Sequence, residues 1–320
     1  MFNQKSVKDT QSANLKIQVQ HINSLSADKF NVELAIARLD NLNEHWGGNK
    51  YFKLKYNLEA AAHQNKSHLL TFGGAYSNHI AATAAAGKAH GLKTTGIIRG
   101  EKLDELNPTL QFARDCGMEL LFVNRSDYRL RDRPAQLIQA AQLPIVEIEK
   151  YYLIPEGGSN ELGFKGCTEI MKMIDYSADV ICCSCGTGTT FAGIVRSLNE
   201  NQKGIGFSSL KGADFLKNEI AQTLDQYSAG LITHESKKAN WEVQTNYHFG
   251  GYGKVKPELV QFCKDFKELY KIELDLVYTG KMLFGILDLI EKGYFKEGTK
   301  ILALHTGGTQ GNKGFKDFVG

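Results

Sequence analysis

The sequence has 320 residues, of which 42% are hydrophobic and 23% charged, and this is long enough to bury the cores of two lobes. Its formal net charge is only +3, with basic and acidic residues interspersed, so we expect no nucleic-acid partner. The first residues lack the apolar core of a secretory signal, and no run approaches the ~18 apolar residues that a membrane span needs. We therefore expect a cytoplasmic protein without a membrane segment.

Short apolar runs alternate with segments of helical periodicity over most of the chain. Most of the runs are continuously apolar, which is typical of strands that are covered on both faces. Alternating strands and helices predict an α/β fold with parallel, doubly wound sheets. The predicted strands are His68–Phe72, Thr94–Ile98, Glu119–Val123, Tyr152–Ile154, Asp179–Ser184, Gly204–Ser208, Leu274–Val277 and Lys300–Leu304. The predicted helices are Tyr51–Gln64, Asn78–His90, Pro108–Asp115, Leu162–Ile174, Thr190–Leu198, Asp214–Leu224, Pro257–Tyr270 and Met282–Glu291.

The order of these units predicts a two-lobed protein. No linker rich in Pro, Gly or Ser marks a boundary, so the division must follow the βαβ units. Residues 66–148 are predicted to form a small α/β domain, and residues 1–65 with 149–320 a large domain, with a ligand between the two. The polar, poorly periodic stretches Arg125–Ala141 and Gly230–Asn246 are predicted to be loops.

The six cysteines lie mostly within apolar helix or strand patterns. Three of them, Cys182, Cys183 and Cys185, resemble half of a metal site, but no second pair of Cys or His stands at ligand spacing. We predict reduced, buried thiols and no metal.

A glycine-rich turn follows the predicted strand Asp179–Ser184. In open α/β sheets ligands bind beyond the carboxyl ends of the strands. Gly186 and Gly188 can aim backbone N–H groups at an anion near the start of the next helix. Hydroxyls are added by Thr187, Thr189 and Thr190. The turn has neither the Lys-Ser/Thr of a Walker loop nor GxGxxG spacing. It predicts a phosphate site, and a turn that binds nothing is the alternative interpretation.

A second glycine turn, at residues 72–79, leads into the predicted helix that begins at Asn78. Ser77 is a plausible N-cap of that helix, and for the isolated motif capping is the favoured interpretation. A helix N-terminus with free hydroxyl and amide groups would also hold a substrate carboxylate.

Lys50, which follows two glycines and an asparagine, is the candidate nucleophile. A lysine amine forms a Schiff base when its surroundings disfavour the ammonium form. Lys53 and Lys55 follow closely, so sequence alone does not single out Lys50, and a surface lysine at a helix start is the alternative. His45 and His79 are candidates either for acid–base groups or for structural histidines.

With the stretch His305-Thr306-Gly307-Gly308, these motifs carry a resemblance to a known family. The chain resembles the pyridoxal-phosphate enzymes of fold type II, which share the tryptophan synthase β-like fold. Within them it is similar to the group that contains D-cysteine desulfhydrase and 1-aminocyclopropane-1-carboxylate (ACC) deaminase. The resemblance runs from about residue 16 to the C-terminus. Its most specific motifs lie at residues 48–50, 73–79, 186–190, 278–281 and 305–308.

The resemblance implies a role for each candidate site residue. Lys50 would carry pyridoxal phosphate through a Schiff base, Asn78 would hold the ring hydroxyl, and Ser77 would lie beside the substrate carboxylate. The implied catalytic residues are Lys50, Ser77, Tyr252 and Tyr278. The implied cofactor-binding residues are Lys50, Asn78, Cys185, Gly186, Thr187, Gly188, Thr189, Thr190 and Thr306. The implied substrate-binding residues are Ser77, Asn78, His79, Tyr252 and Tyr278. The resemblance also implies a homodimer.

Two positions favour one branch of this group. ACC deaminases have a glutamate and a leucine where this chain has Thr279 and Thr306, and both threonines agree with D-cysteine desulfhydrase. We therefore expect an enzyme that removes the β-substituent of a small amino acid, with D-cysteine giving pyruvate, hydrogen sulfide and ammonia. The alternatives are ACC deamination to 2-oxobutyrate, racemisation or elimination on D-serine-like substrates, and a non-catalytic protein that binds pyridoxal phosphate.

Overall fold

The computed structural model describes residues 16–102, 104–143, 149–228 and 240–315. These residues form an α/β fold with two sheets, which confirms the predicted fold class. The strands are β1 (Val19–His21), β2 (Glu33–Arg38), β3 (His68–Gly74), β4 (Lys93–Arg99), β5 (Met118–Val123), β6 (Tyr151–Ile154), β7 (Val180–Cys185), β8 (Lys203–Ser208), β9 (Asn240–Gln244) and β10 (Lys300–His305). The helices are α1 (Leu25–Lys29), α2 (Asn49–His63), α3 (Asn78–Ala89), α4 (Pro108–Asp115), α5 (Pro134–Ala140), α6 (Glu161–Cys167), α7 (Thr189–Ser197), α8 (Phe215–Ser228), α9 (Pro257–Tyr270) and α10 (Thr279–Glu291).

The two sheets are built almost entirely from parallel strands. The larger has the order β1-β2-β10-β7-β8-β9, in which only β1 and β2 are antiparallel. The smaller has the order β5-β4-β3-β6 and is wholly parallel. The division of the chain at residues 66–148 stays a prediction, and the smaller sheet includes β6, which follows residue 148. Parallel strands gather their carboxyl ends at one edge of each sheet, where ligand sites form.

Helices cover both faces of the larger sheet. In β2, Leu34 and Ile36 pack into the core that α9 and α10 share, whereas Ala35 and Ala37 face the core formed with α2, α6 and α7. Alternate residues of one strand therefore enter different cores, and both sets are apolar. This explains why the strands read as continuous apolar runs in the sequence.

Seven of the eight predicted strands are confirmed, and the strand predicted at Leu274–Val277 is wrong. That segment is an irregular stretch whose backbone groups bind side chains instead of a neighbouring strand. The Asp275 carboxylate accepts hydrogen bonds from the N–H groups of residues 277–279. The Asn312 amide binds the N–H of Leu276 and the carbonyl of Leu274, at 3.0 and 2.9 Å. Because these partners satisfy the backbone, the apolar run needs no sheet.

The two predicted loops also contain regular structure. Arg125–Ala141 holds a 3₁₀ helix at Asp127–Asp132 and the helix α5, because Tyr128 and Leu137 are buried in the core of the smaller sheet. Gly230–Asn246 contains β9, which pairs with β8, while residues 230–239 lie outside the described residues.

Two other features escaped the pattern. Strands β1 and β2 were not predicted, and the helix predicted at Leu162–Ile174 is instead α6 followed by a 3₁₀ helix at Ile170–Met173. Across the described part of the chain, no helix has both the length and the apolar character that crossing a bilayer requires.

Candidate active site

A cavity of about 440 Å³, in the size range of small-molecule sites, lies at the carboxyl ends of the parallel strands of the two sheets. Most of the predicted site residues line it together, namely Lys50, Ser77, Asn78, His79, Gly186, Thr187, Gly188, Thr190, Tyr252, Tyr278 and Thr306. Asn49 and Gly74, which belong to two of the motifs, also line it, and the lining residues that the motifs did not reveal include Lys53, Arg99, Arg131, Glu156 and Ser184. The structure therefore gathers the four glycine-containing motifs, which are remote in sequence, at one site.

Lys50 reaches the cavity because α2 docks closely on the end of β10. The N-cap of α2 is Gly48, whose φ is 69°, and a Cβ there would lie 2.0 Å from the carbonyl oxygen of Thr306. Only glycine permits this approach. The Asn49 amide then donates to the Thr190 hydroxyl at 2.9 Å, which ties α2 to α7. Lys50, in the first turn of α2, is thereby placed between the end of β10 and the start of α7.

The structure distinguishes the three neighbouring lysines. Burial, helped by the nearby charge of Lys53, lowers the pKa of Lys50 to about 7, so much of its amine is neutral and nucleophilic at neutral pH. Lys55 lies on the other side of the helix and pairs with Glu169 at 2.7 Å. Of these lysines, Lys50 best suits Schiff-base formation.

Lys53 joins the predicted phosphate turn. It is buried, and its Nζ donates to the Gly157 carbonyl at 3.0 Å and to the Thr187 hydroxyl at 3.3 Å. Beside it lies Gly188, the N-cap of α7, whose φ is 77° and which supplies no side-chain cap, so the first N–H groups of the helix can donate hydrogen bonds to an external anion. An amine, hydroxyls and a helix N-terminus together fit a phosphate dianion. The i, i+3 spacing from Lys50 was the available signal for Lys53, since it places both on one helix face.

Two predicted cofactor-binding residues do not line the cavity. Cys185 is buried in the core, and its thiol donates to the carbonyl of Cys183 at 3.7 Å. Thr189 contacts the cavity only through other side chains. Its hydroxyl donates to Ser159 Oγ at 2.8 Å, and Ser159 in turn donates to Thr187 Oγ1 at 2.7 Å. These hydrogen bonds fix the orientation of the Thr187 hydroxyl within the turn.

The turn before α3 places Ser77 and Asn78 on the opposite wall. The Ser77 hydroxyl accepts from the N–H groups of His79 and Ile80 at 3.2 and 3.4 Å, so it is the predicted N-cap as well as a cavity residue. The Asn78 side-chain oxygen accepts from Gln310 Nε2 at 2.6 Å, which fixes the orientation of its amide. Both side chains are therefore held in place before any ligand binds.

His79 is buried at the cavity wall. The Thr71 hydroxyl donates to the Ile154 carbonyl at 2.8 Å, so its oxygen accepts from His79 Nε2 at 2.9 Å. His79 Nδ1 is then an unprotonated acceptor, and it finds no partner among the described residues. Burial, with the charges of Lys50 and Lys53, lowers the pKa of His79 well below its usual range. His45 is exposed and does not line the cavity.

Two tyrosines stand at the open side. The rings of Tyr252 and Tyr278 meet edge to face, with centroids 6.1 Å apart. Tyr252 lies in a glycine-rich loop that the buried Lys281 holds by donating to two of its carbonyl oxygens at 2.9 Å. Burial raises the pKa of Tyr278 well above its usual range, so its hydroxyl stays protonated. The pair can cover a ligand without adding charge.

The two threonines that favoured one branch of the group occupy different environments. The Thr306 hydroxyl lines the cavity 3.3 Å from that of Ser184. Thr279 is fully buried and donates to Asp275 Oδ2 at 2.6 Å, and it does not line the cavity. Of the two, Thr306 is the one placed to influence a bound cofactor directly.

A buried amine opposite an anion-binding helix N-terminus, at the edge of parallel sheets, defines an enzyme site for a phosphorylated carbonyl cofactor. A family model described as "Pyridoxal-phosphate dependent enzyme" matches residues 13–307. The chain belongs to this family of pyridoxal-phosphate dependent enzymes.

Comparison with known proteins shows which members of this family the chain is similar to. The chain is 31% identical over 299 residues to a bifunctional D-cysteine desulfhydrase/ACC deaminase of Arabidopsis thaliana, and the alignment covers 87% of this chain and 73% of that protein. It is 29% identical over 294 residues to a D-cysteine desulfhydrase of Yersinia pestis, which covers 88% of each chain. A solved ACC deaminase homologue superimposes with a TM-score of 0.82 at 27% identity, covering 94% of this chain and 92% of that one. The chain is thus similar to proteins with both activities.

Proposed function

We propose that this enzyme eliminates the β-substituent of a small amino acid, and that it converts D-cysteine and water into pyruvate, hydrogen sulfide and ammonia. The observation that carries the proposal is the neutral character of the inner cavity around Ser184 and Thr306. Glu156 is the only carboxylate among the described lining residues, and it accepts from the Tyr128 hydroxyl and pairs with Arg131. Neutral hydroxyls beside the cofactor ring favour rapid loss of a good leaving group, such as thiolate.

The residues of this chain have separate tasks in that reaction. When bound, pyridoxal phosphate supplies the electron sink. The neutral Lys50 amine would hold the cofactor and would take the proton from Cα as general base. Ser77 and the N-terminus of α3 bind the substrate carboxylate. Tyr252 and Tyr278 cover the substrate and exclude water. A homodimer and a cytoplasmic location belong to the same proposal.

ACC deamination is the second candidate, because the relatives include proteins named for it. Opening the ACC ring requires a base or nucleophile at a ring carbon in addition to the cofactor. The Glu156 carboxylate is engaged by Arg131 and Tyr128, and Tyr278 stays protonated. These constraints favour elimination of thiolate.

The decisive experiment offers the purified holoenzyme D-cysteine, L-cysteine, ACC, D-serine and β-chloro-D-alanine, with keto acid and sulfide measured separately. We expect sulfide and pyruvate from D-cysteine and little 2-oxobutyrate from ACC. Efficient 2-oxobutyrate formation without sulfide from D-cysteine would overturn the proposal. A protein that binds the cofactor and releases keto acid from none of the five would be a non-catalytic binder.

Thr306→Leu is the matched variant for reaction choice. It removes the cavity hydroxyl and should lower sulfide release from D-cysteine relative to any ACC turnover. Adding Thr279→Glu, the second exchange toward the deaminase sequence, would place a carboxylate beside buried Asp275 and is expected to destabilise the fold.

A further inference from the structure

We propose that Arg99 binds an anionic group on the leaving-group end of the substrate, so that the preferred substrates are β-substituted amino acids with a second, distal negative charge. The proposal rests on the β-elimination proposed above and adds the class of substrate. D-cysteine, which lacks this distal charge, is then the smallest of the β-substituted substrates. Cysteine S-conjugates that end in a carboxylate have a higher kcat/KM.

Arg99 ends β4, directly beside the end of β3. In the parallel pairing of these strands Arg99 is opposite Gly74, which precedes Ser77 in the same turn. A Cβ on Gly74 would lie 3.3 Å from Nη2 of Arg99, so the guanidinium lies across the end of the strand. Arg99 therefore enters the cavity next to the turn that is proposed to hold the substrate carboxylate.

The positive charge of Arg99 has no ion-pair partner in the described part of the chain. Its guanidinium carbon lies 5.6 Å from the ring centroid of buried Tyr128, in a cation–π contact. Among the residues that the structure describes, no carboxylate pairs with Arg99. The Glu156 carboxylate is taken by the Tyr128 hydroxyl at 2.9 Å and by Arg131 Nε at 3.2 Å. Two guanidinium groups and one carboxylate leave this end of the cavity positive, which favours an anionic ligand.

The position of Arg99 suits the far end of the substrate better than its α-carboxylate. The α-carboxylate already has Ser77 and the N-terminus of α3. Arg99 is exposed at the open side of the cavity, whereas Lys53 and Thr190 at the phosphate end are buried. Arg99 and the covering Tyr252 line the same cavity, and the charge of Arg99 opposes the rise that burial causes in the pKa of Tyr252. A substrate held between Ser77 and Tyr252 would extend its leaving group toward Arg99.

The proposed reaction balances for S-carboxymethyl-D-cysteine. The substrate and one water give thioglycolate, pyruvate and ammonia. The Cα–H bond breaks and its proton passes to Lys50, and the Cβ–S bond breaks with both electrons leaving on sulfur. Arg99 binds the carboxylate of the departing thiol and takes no part in the bond changes.

The test compares S-carboxymethyl-D-cysteine with S-carbamoylmethyl-D-cysteine, which has the same shape and lacks the charge. For the holoenzyme we expect kcat/KM to be about tenfold or more higher for the carboxylate, as for a charge-assisted hydrogen bond. Arg99→Gln should bring the ratio close to one, and Arg99→Lys should restore part of it. Lys102→Gln, which removes an exposed positive charge that does not line the cavity, is the control and should keep the ratio.

A binding measurement separates the two proposals. D-glutamate and D-glutamine have no β-leaving group, so calorimetry on the holoenzyme reports recognition without elimination. Tighter binding of D-glutamate than of D-glutamine, lost in Arg99→Gln, would support the role of Arg99 in anion recognition. That support would hold even if neither cysteine derivative yielded keto acid, a result that would overturn only the proposed β-elimination. Equal kcat/KM values for the two cysteine derivatives, or an unchanged ratio in Arg99→Gln, would overturn the role of Arg99 and leave β-elimination standing.

Discussion

The turn before α3 and the turn before α7 stand at equivalent ends of two parallel sheets, yet they are closed in different ways. At α3 the Ser77 hydroxyl accepts from two N–H groups of the helix, at 3.2 and 3.4 Å. At α7 the N-cap is Gly188, and no side chain of the described residues caps the helix N–H groups. One helix start carries its own acceptor, and the other leaves its donors for a ligand.

This difference corresponds to two kinds of ligand. The donors of α7, with Lys53 and Thr187 beside them, suit a phosphate that stays bound through every turnover. The donors of α3 are satisfied between turnovers by Ser77, at distances long for hydrogen bonds, so an arriving carboxylate can take them over. We infer that α7 retains the cofactor and that α3 exchanges the substrate.

Lys50→Ala should have the largest effect and tests whether the α7 turn retains the cofactor without a covalent bond. We expect no β-elimination and no lysine-linked chromophore, because Lys53 donates to Gly157 and Thr187 and Lys55 pairs with Glu169, so neither amine takes the place of Lys50. We also expect pyridoxal phosphate to remain bound reversibly, held by the phosphate turn. Absorbance spectra, borohydride reduction and peptide mapping provide the measurements.

Lys55→Ala is the matched control for that variant, since Lys55 is on the same helix and pairs with Glu169 at the surface. It should keep the reducible chromophore. If borohydride labels the peptide at Lys53 or Lys55 in the unmodified protein, the assignment of Lys50 is wrong.

Thr187→Val tests the phosphate turn with almost no change in volume. Losing a hydrogen bond to a charged group costs about 1.5–3 kcal/mol, so the cofactor dissociation constant should rise about 10- to 100-fold. Equilibrium dialysis of the apoprotein measures this directly. The melting temperature of the apoprotein should change much less, and a large fall in stability with unchanged cofactor affinity would mean that Thr187 is structural.

The pH dependence of cofactor binding tests the neutral amine of Lys50. With a pKa of about 7, the neutral fraction of Lys50 rises with pH and is nearly complete above about pH 8. The rate at which the apoprotein combines with pyridoxal phosphate should therefore rise about tenfold between pH 6 and pH 8 and then level off. Stopped-flow absorbance measures it. A rate that keeps rising to pH 10 would indicate an ordinary, exposed lysine.

Sequence patterns could predict the parts of this site that depend on local structure. The glycine turn after an apolar run led to residues 186–190, most of which line the cavity, and Ser77 before a helical stretch predicted its N-cap correctly. Lys53 was considered only as a rival to Lys50, because its contact with Thr187 joins residues 134 positions apart in sequence.

What the patterns missed depends on contacts between remote segments. Arg99 and Glu156 enter the cavity only because β4 and β6 both flank β3, an order that the sequence does not encode locally. The strand predicted at Leu274–Val277 fails for the same reason, since Asn312 supplies the hydrogen bonds that a neighbouring strand would have made. Periodicity describes burial, and it does not show which group satisfies a buried backbone.

Ser77→Ala should have the smallest effect and most directly tests the contrast between the two turns. Loss of the N-cap should cost about 1 kcal/mol of stability, and loss of the hydroxyl should raise the substrate KM about tenfold. Ser77→Thr, which keeps a hydroxyl at the cap, should recover much of both. Because the α7 turn is untouched, cofactor affinity should fall less than in Thr187→Val. If Ser77→Ala instead weakens cofactor binding as much as Thr187→Val and leaves KM unchanged, the two helix starts do not divide cofactor and substrate between them.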